Sequence, residues 1–235
     1  MSIKGSAALV ALALLGACGR GGAALSGDAA FPRPDRPVSA IVSPRWSTEE
    51  ARDRVREAAN VMDKAGIRPG MTVADIGAGE GYYTVRLAER VGPQGRVLAE
   101  DIFPEVRDAL AERVARERLQ SVSVRLGEPD DPKLPPASFD RIFMVHMYHE
   151  IAQPYAFLWR MRPSLKAGGL VIVVDANRPT QHHGTPPALL TCEFRAVGYT
   201  LAYTADMPTS GAYLTAFRAT GARPEPGAIK PCRMG

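Results

Sequence analysis

Val73-Ala74-Asp75-Ile76, an apolar run carrying a carboxylate, leads straight into Gly77-Ala78-Gly79-Glu80-Gly81, and a helical pattern follows from Tyr82-Tyr83. Glycine at alternate positions lets the backbone turn through positive φ and lets a ligand approach the main chain. The amides that open the next helix then face that ligand. Asp75 adds an acceptor for a cationic group. The spacing argues against two familiar nucleotide sites. A dinucleotide fingerprint would need its third glycine where Tyr82 stands, and a P-loop would continue into Gly-Lys-Ser/Thr, which is missing.

On an open parallel sheet, ligands gather outside the carboxyl ends of the strands, so residues that close strands are the next candidates. Asp101 closes the second apolar run at about the distance expected of a ribose-binding acid. Its neighbour Glu100 should face the other way by the two-residue strand period. Tyr148-His149-Glu150 follows the fourth run, and His149 with Glu150 beside it could serve as a base. The alternative is that His149 bonds to backbone or packs under the next helix. His182-His183 falls in the loop after the fifth run. The only nearby ligand types there are Cys192 and Glu193, so solvated histidines are expected and no metal is assigned. Tyr82 or Tyr83 could line a pocket or serve the core.

These positions need a particular scaffold. Ser47-Thr48-Glu49-Glu50 has capping-box spacing and predicts a helix through about Lys64, which Gly66 ends. Strands are expected over 71–76, 96–101, 122–126, 139–146 and 170–175. Helices are expected over 83–91, 104–119 and 155–165, with another inside 185–198; 199–203 and 211–219 are closing strands. The run from Phe139 is apolar nearly throughout, as a strand buried on both faces should be. Strands alternating with helices imply an α/β fold with a parallel sheet covered on both sides.

In order and spacing, the motifs resemble the class I S-adenosylmethionine (SAM)-dependent methyltransferases over roughly residues 47–220. Asp75 with glycines 77, 79 and 81 resembles motif I. Val97-Leu98-Ala99-Glu100-Asp101-Ile102 with Pro104-Glu105 resembles the motif that follows it. Gly127-Glu128 with Ser138-Phe139-Asp140 is similar to the adenine loop and the entry to strand four. Leu165-Lys166-Ala167-Gly168-Gly169 is similar to the turn before strand five, and Tyr148-His149-Glu150 resembles a bacterial, exported subgroup. The resemblance implies a Rossmann-like, doubly wound, mostly parallel seven-stranded sheet with an antiparallel closing strand. It implies SAM as cofactor, with Asp75, Gly77, Gly79 and Gly81 at the methionine tail, Asp101 at the ribose and Glu128 at the adenine amino group. Methyl transfer to a small-molecule acceptor would follow, with His149 as the catalytic candidate. Two residues depart from the pattern. Pro129 removes an amide next to Glu128, and His146 stands where relatives often carry an acid or amide.

Length and charge leave room for one α/β domain and little else. The chain has 235 residues, a net charge of +4 and no block of basic residues interleaved with aromatics, so nucleic acid is not indicated as a partner. Residues 1–17 read as a signal peptide: Lys4, then an apolar stretch too short to span a bilayer, then Leu15-Gly16-Ala17-Cys18, which looks like a bacterial lipobox. Lipidation at Cys18 would anchor the chain to a membrane in the cell envelope, on the periplasmic side. Residues 18–46 read as a flexible Gly/Ala/Pro tether, 47–220 as the catalytic domain and 221–235 as a tail. With Cys18 acylated, Cys192 and Cys232 remain, and an oxidising compartment would permit them to pair. Because SAM is a cytoplasmic product, a non-catalytic lipoprotein that keeps the fold to bind a ligand stands as the alternative.

Overall fold

A computed structural model describes residues 31–41 and 47–233. The lipobox expected at Cys18 lies outside the described residues, among which no helix is long and apolar enough to cross a membrane. Among the described residues, six α-helices and seven strands follow in the order α1 (Glu49–Arg54), α2 (Glu57–Lys64), β1 (Thr72–Ile76), α3 (Tyr82–Val91), β2 (Arg96–Asp101), α4 (Pro104–Arg116), β3 (Val122–Leu126), β4 (Phe139–Val145), α5 (Pro154–Met161), β5 (Leu165–Asp175), α6 (Pro187–Ala196), β6 (Tyr199–Met207) and β7 (Ala212–Ala219). The sheet order is β3-β2-β1-β4-β5-β7-β6. Pairings from β3 through β5 are parallel, whereas β7 runs antiparallel to both β5 and β6. The expected seven-stranded, mostly parallel sheet with one antiparallel strand is what forms.

Alternation along the central strands supplies two apolar cores. Ile142 and Met144 of β4, with Val171 and Val173 of β5, pack against Tyr155, Leu158 and Phe194 from α5 and α6. Phe143, Ile172 and Val174 face the other side and pack against Val61, Met62, Tyr83 and Leu87 from α2 and α3. Strands buried on both faces have to be apolar at every position, which is why they stood out in the sequence. The chain runs β1-β2-β3 in one direction and β4-β5 in the other, so the switch point lies between β1 and β4.

Several boundaries differ from expectation, each for a local reason. The first helix is capped by Thr48, whose hydroxyl accepts from Ala51 N at 3.2 Å, and it breaks at Arg56, where φ is 52°. That break separates α1 from α2. β5 starts five residues early, because Leu165 pairs with Phe139 before a register shift. β4 stops at Val145, since His146 adopts φ 55°.

The largest difference concerns residues 31–41, expected within the flexible tether. This segment lies across the body as a strap. The buried Arg36 pairs with the buried Glu193 of α6 at 2.9 Å, and Tyr148 also donates to Glu193 at 2.7 Å. Ser39 N donates to the His149 carbonyl at 3.1 Å, the Ser39 hydroxyl donates to the Thr180 carbonyl, and Thr180 Oγ1 donates to the Pro37 carbonyl at 2.8 Å. Phe31 sits edge-on to Trp159 with ring centres 5.5 Å apart.

The C-terminal tail is tied down as well. Cys192 and Cys232 form a disulfide with Cα atoms 6.0 Å apart, joining the tail to α6. Closing a loop across a sequence separation of 40 removes conformational freedom from the unfolded chain, by about 4 kcal/mol in the chain-entropy model. The double variant Cys192→Ser/Cys232→Ser should therefore lose roughly 2–4 kcal/mol in denaturant unfolding. An unchanged unfolding midpoint and slope would count against this role for the disulfide.

Candidate active site

A cavity of about 560 Å³ opens at the switch point, over the carboxyl ends of β1, β2 and β4. Its floor is the glycine loop. Gly77 takes φ 64° and Gly81 φ 90°; a Cβ on Gly81 would lie 2.4 Å from Leu110 of α4, so that position accepts only glycine without movement. Asp75, Gly77, Gly79 and Asp101 all line the cavity, as expected from the sequence, while Gly81 caps α3 just outside it.

The acids around the cavity are largely removed from water. Asp75 is buried, its Oδ2 accepting from Thr84 Oγ1 at 2.6 Å, and burial raises its pKa to about 6. Asp101 accepts from Gly79 N at 3.0 Å and Phe103 N at 3.1 Å, so it holds the glycine loop against the end of β2. Glu100 also lines the cavity, contrary to the two-residue alternation expected of it. The cavity straddles the strand ends, and the side chain of Glu100 extends towards Gly127, where a Cβ would lie 1.7 Å from its Oε1. Burial, with Asp101 next in importance, raises the Glu100 pKa to about 8. Its Oε1 has no hydrogen-bond partner.

Glu128 is a correction. Its side chain is more than half exposed and pairs with Lys133 at 3.1 Å, and it is not among the residues lining the cavity. Pro129 lines the cavity in its place, and Asp130 is committed to Arg160. The acid available beside Gly127 is Glu100.

A cation that the sequence did not single out completes this half of the site. Arg52 of α1 is buried, lines the cavity and stacks on Tyr82 with its guanidinium carbon 3.9 Å from the ring centre. It pairs with Glu57 at 2.7 Å and keeps its Nε without a partner. Glu57 also accepts from Tyr83 at 3.0 Å and faces His146 Nε2 at 3.3 Å. Although burial opposes it, His146 and Arg52 together lower the Glu57 pKa to about 2. Two buried tyrosines at the start of α3 were the available signal, since buried hydroxyls need partners.

Beyond the glycine loop the wall is built by Val145, His146, Met147, Glu150 and the loop after β5. His149 is a second correction. It is fully buried and does not line the cavity, so it lies behind the wall instead of reaching an acceptor as a base would. Its Nδ1 faces both oxygens of Asp175 at 3.1 Å; Asp175 also accepts from Thr185 Oγ1 at 2.7 Å and Ala176 N at 2.8 Å. A carboxylate at that position makes Nδ1 the donor, and in the neutral ring the unshared pair is then on Nε2. Nε2 is buried with no partner, a condition that costs about 1–3 kcal/mol. Glu150, at the cavity wall, has its pKa raised by burial to about 7. His183 faces His149 edge-on with ring centres 5.5 Å apart.

Comparison with known proteins agrees with this geometry. Residues 74–171 match a family model described as a methyltransferase domain. That span supplies most of the sheet beneath the cavity, and it resembles a class I SAM-dependent methyltransferase domain. Nocamycin O-methyltransferase from Saccharothrix syringae is 42% identical over 83 residues, which are 35% of this chain and 30% of that enzyme. The chain spans about half the length, or less, of the curated relatives it matches first. A SAM-dependent methyltransferase structure from Aquifex aeolicus superposes with a TM-score of 0.66 at 23% identity, covering 71% of this chain and 92% of that one. The [4+2]-cyclase SpnF superposes at 0.61 with 16% identity, covering 83% and 90%. Family and fold imply SAM as the cofactor. The residues present fit it: a glycine cradle, a buried acid in Asp75, a cation with an uncommitted N–H in Arg52, and a free carboxyl oxygen in Glu100.

The buried Glu100 generates a test of this electrostatic arrangement. Its folded-state pKa stands above the ordinary 4.5, so the stability it contributes is present below that value and is lost as pH rises towards 8. The loss is on the order of 4 kcal/mol across that window. Glu100→Gln cannot ionise, so its melting temperature should gain on the wild type steadily from pH 5 to pH 8. Parallel profiles for the two proteins would show that Glu100 is not held neutral.

Proposed function

We propose that this protein is a SAM-dependent methyltransferase acting on a small-molecule acceptor, held in the bacterial cell envelope by a lipid on Cys18. The observation that carries the enzymatic reading is the charge pattern of the cavity. Asp75 and Arg52 both line the cavity at the glycine loop, an acceptor for an ammonium and a donor for a carboxylate, which together match an amino-acid zwitterion. A dinucleotide or a nucleoside triphosphate has no such group.

When bound, SAM supplies a methyl group on a cationic sulfur. The remaining work falls to the chain. Asp75, with Thr84 fixing one oxygen, takes the ammonium, and Arg52 takes the carboxylate through Nε. Asp101 takes the ribose hydroxyls while its backbone contacts hold the loop, and Glu100 replaces Glu128 at the adenine edge. Methyl transfer is an in-line displacement that depends mainly on alignment, so fixing these groups before the ligand arrives is the main contribution. The acceptor then occupies the space between His146, Glu150, Arg178 and His183. Similarity to nocamycin O-methyltransferase supports an oxygen acceptor. A hydroxyl must lose its proton on the way, and the His149–Glu150–His183 corner is where groups able to favour that loss converge.

Two observations support the envelope location: the lipobox ending in Cys18 and the Cys192–Cys232 disulfide, a bond that persists in oxidising compartments. Changing Cys18→Ser should release the protein from membranes into the soluble fraction. Unchanged membrane association would remove the lipid anchor from this reading.

SAM and S-adenosylhomocysteine should raise the melting temperature of the full chain, NAD should not, and Asp75→Asn should abolish most of the shift. No shift with either sulfur nucleoside at millimolar concentration would overturn the enzymatic reading. Because the Asp75 carboxyl is raised to about 6, protonation below that pH removes the ammonium's partner. Affinity for SAM should fall about tenfold between pH 7 and pH 5 in titration calorimetry. Asp75→Asn should flatten that profile.

A further inference from the structure

We propose that His149, Glu150 and His183 form a binding site for a divalent first-row transition metal at the acceptor end of the cavity. One ligand atom from each residue lies within 4.8 Å of the others. Only His149 Nε2 is open to a ligand, since Nδ1 is held by Asp175, and that Nε2 is buried without any partner. A carboxylate holding one imidazole nitrogen so that the other presents its lone pair is the arrangement that orients histidine ligands around metals. Asp175 is itself fixed by Thr185 and Ala176, so His149 is aimed before any ion arrives.

The other two donors come from different elements and are brought together by the strap. Glu150 follows His149 in the short 3₁₀ turn Tyr148–Glu150, and His183 closes the turn Thr180–His182 with φ 55°. Ser39 bridges these turns, donating from N to the His149 carbonyl and accepting from His183 N at 3.3 Å. Two nitrogen ligands on a tetrahedral ion lie about 3.4 Å apart, so the atoms furthest from one another must draw in by up to about 1.4 Å. Glu150 and His183 are only partly buried and line the cavity, which gives them room to do so.

Two imidazoles and one carboxylate suit zinc, cobalt, iron or manganese, and three protein ligands leave coordination positions open on the cavity side. This part of the inference rests on the methyltransferase reading. An acceptor hydroxyl taking an open position would have its pKa lowered and release its proton to water. The oxygen's electron pair would then form the new bond to the methyl carbon as the carbon–sulfur bond breaks. Sulfur would keep that pair and become a neutral thioether.

Binding of the metal alone tests the site without SAM or an acceptor, so its outcome is separable from that of the methyltransferase reading. Untagged, metal-stripped full-length protein should take up one equivalent of Co²⁺, with visible absorption bands of a protein-bound ion, and Zn²⁺ should displace it. Glu150→Gln and His183→Ala should each weaken uptake at least tenfold, whereas His182→Ala, at the exposed neighbouring histidine, should leave it unchanged. Both ligand variants lie at the cavity wall, and far-ultraviolet circular dichroism checks that they fold. Failure of the wild type to bind Co²⁺ or Zn²⁺ at millimolar concentration would overturn the proposal. So would uptake that survives both ligand variants, or that depends on His182.

Discussion

Four carboxyl groups are drawn into one cavity: Asp75, Glu100, Asp101 and Glu150. The rest of the site follows from how that charge is tolerated. Carboxylates cannot share a poorly solvated space and all stay ionised without partners. Asp101 is accommodated by two backbone amides, and Asp75 is partly relieved by Thr84 and by the positive charge of Arg52. At Glu100 and Glu150 burial outweighs what the Gly77 amide and His149 offer, and both are shifted towards the neutral form. The cavity therefore offers a graded set of acids along its length, and a cationic ligand would relieve the strain at either end. An ammonium and a sulfonium near the glycine loop do that on one side. A metal ion beside Glu150 does it on the other.

A buried ion pair outside the cavity ties together the elements at its other end. Arg36 and Glu193 are both withdrawn from solvent, and such a pair adds little net stability over apolar side chains of the same size. Its consequence is positional. Arg36 also donates to the Ile151 carbonyl at 3.3 Å, and Glu193 receives the Tyr148 hydroxyl, so strap, α6 and the turn bearing His149 share one network. Losing either charge would leave the other buried and unpaired, which is far more costly than the pair is worth. The strap is thus committed to a single seat, and with it the spacing between His149 and His183.

Parallel strands β1, β2 and β4 were legible because burial on both faces demands continuous apolar residues. The glycine loop was legible because its backbone demands positive φ. The alternation rule failed at Glu100 for an equally physical reason. It holds inside a ladder, where each face has one environment, and lapses at a strand's last residues, where one cavity wraps both faces. At Glu128 the following Pro129 was the one local sign of a departure, whereas the pairing with Lys133 that holds the side chain outside the cavity is a tertiary outcome. The strap was illegible for a different reason. Its composition has no period, and it is held by single residues, Phe31, Arg36 and Ser39, whose partners lie more than a hundred positions away.

The strap and the C-terminal tail converge on one helix. Cys192 and Glu193 are adjacent on α6, the first holding the C-terminal tail and the second the N-terminal strap. Asp35 of the strap also pairs through its backbone with Arg233, next to Cys232, so strap and tail touch each other as well. A chain folding outside the cytoplasm has no reductant to open the disulfide, and once closed it holds α6, the tail and thereby the strap in register. In a reducing compartment the same α6 would keep its apolar contacts through Leu190 and Phe194 but lose the covalent tie beside Glu193. The cofactor half, built from β1, β2 and α3, is remote from that tie, whereas the acceptor half is assembled through it. Oxidation would then matter to the His149–His183 end of the cavity more than to the glycine-loop end, because only the former is assembled through the strap that the tail helps to hold.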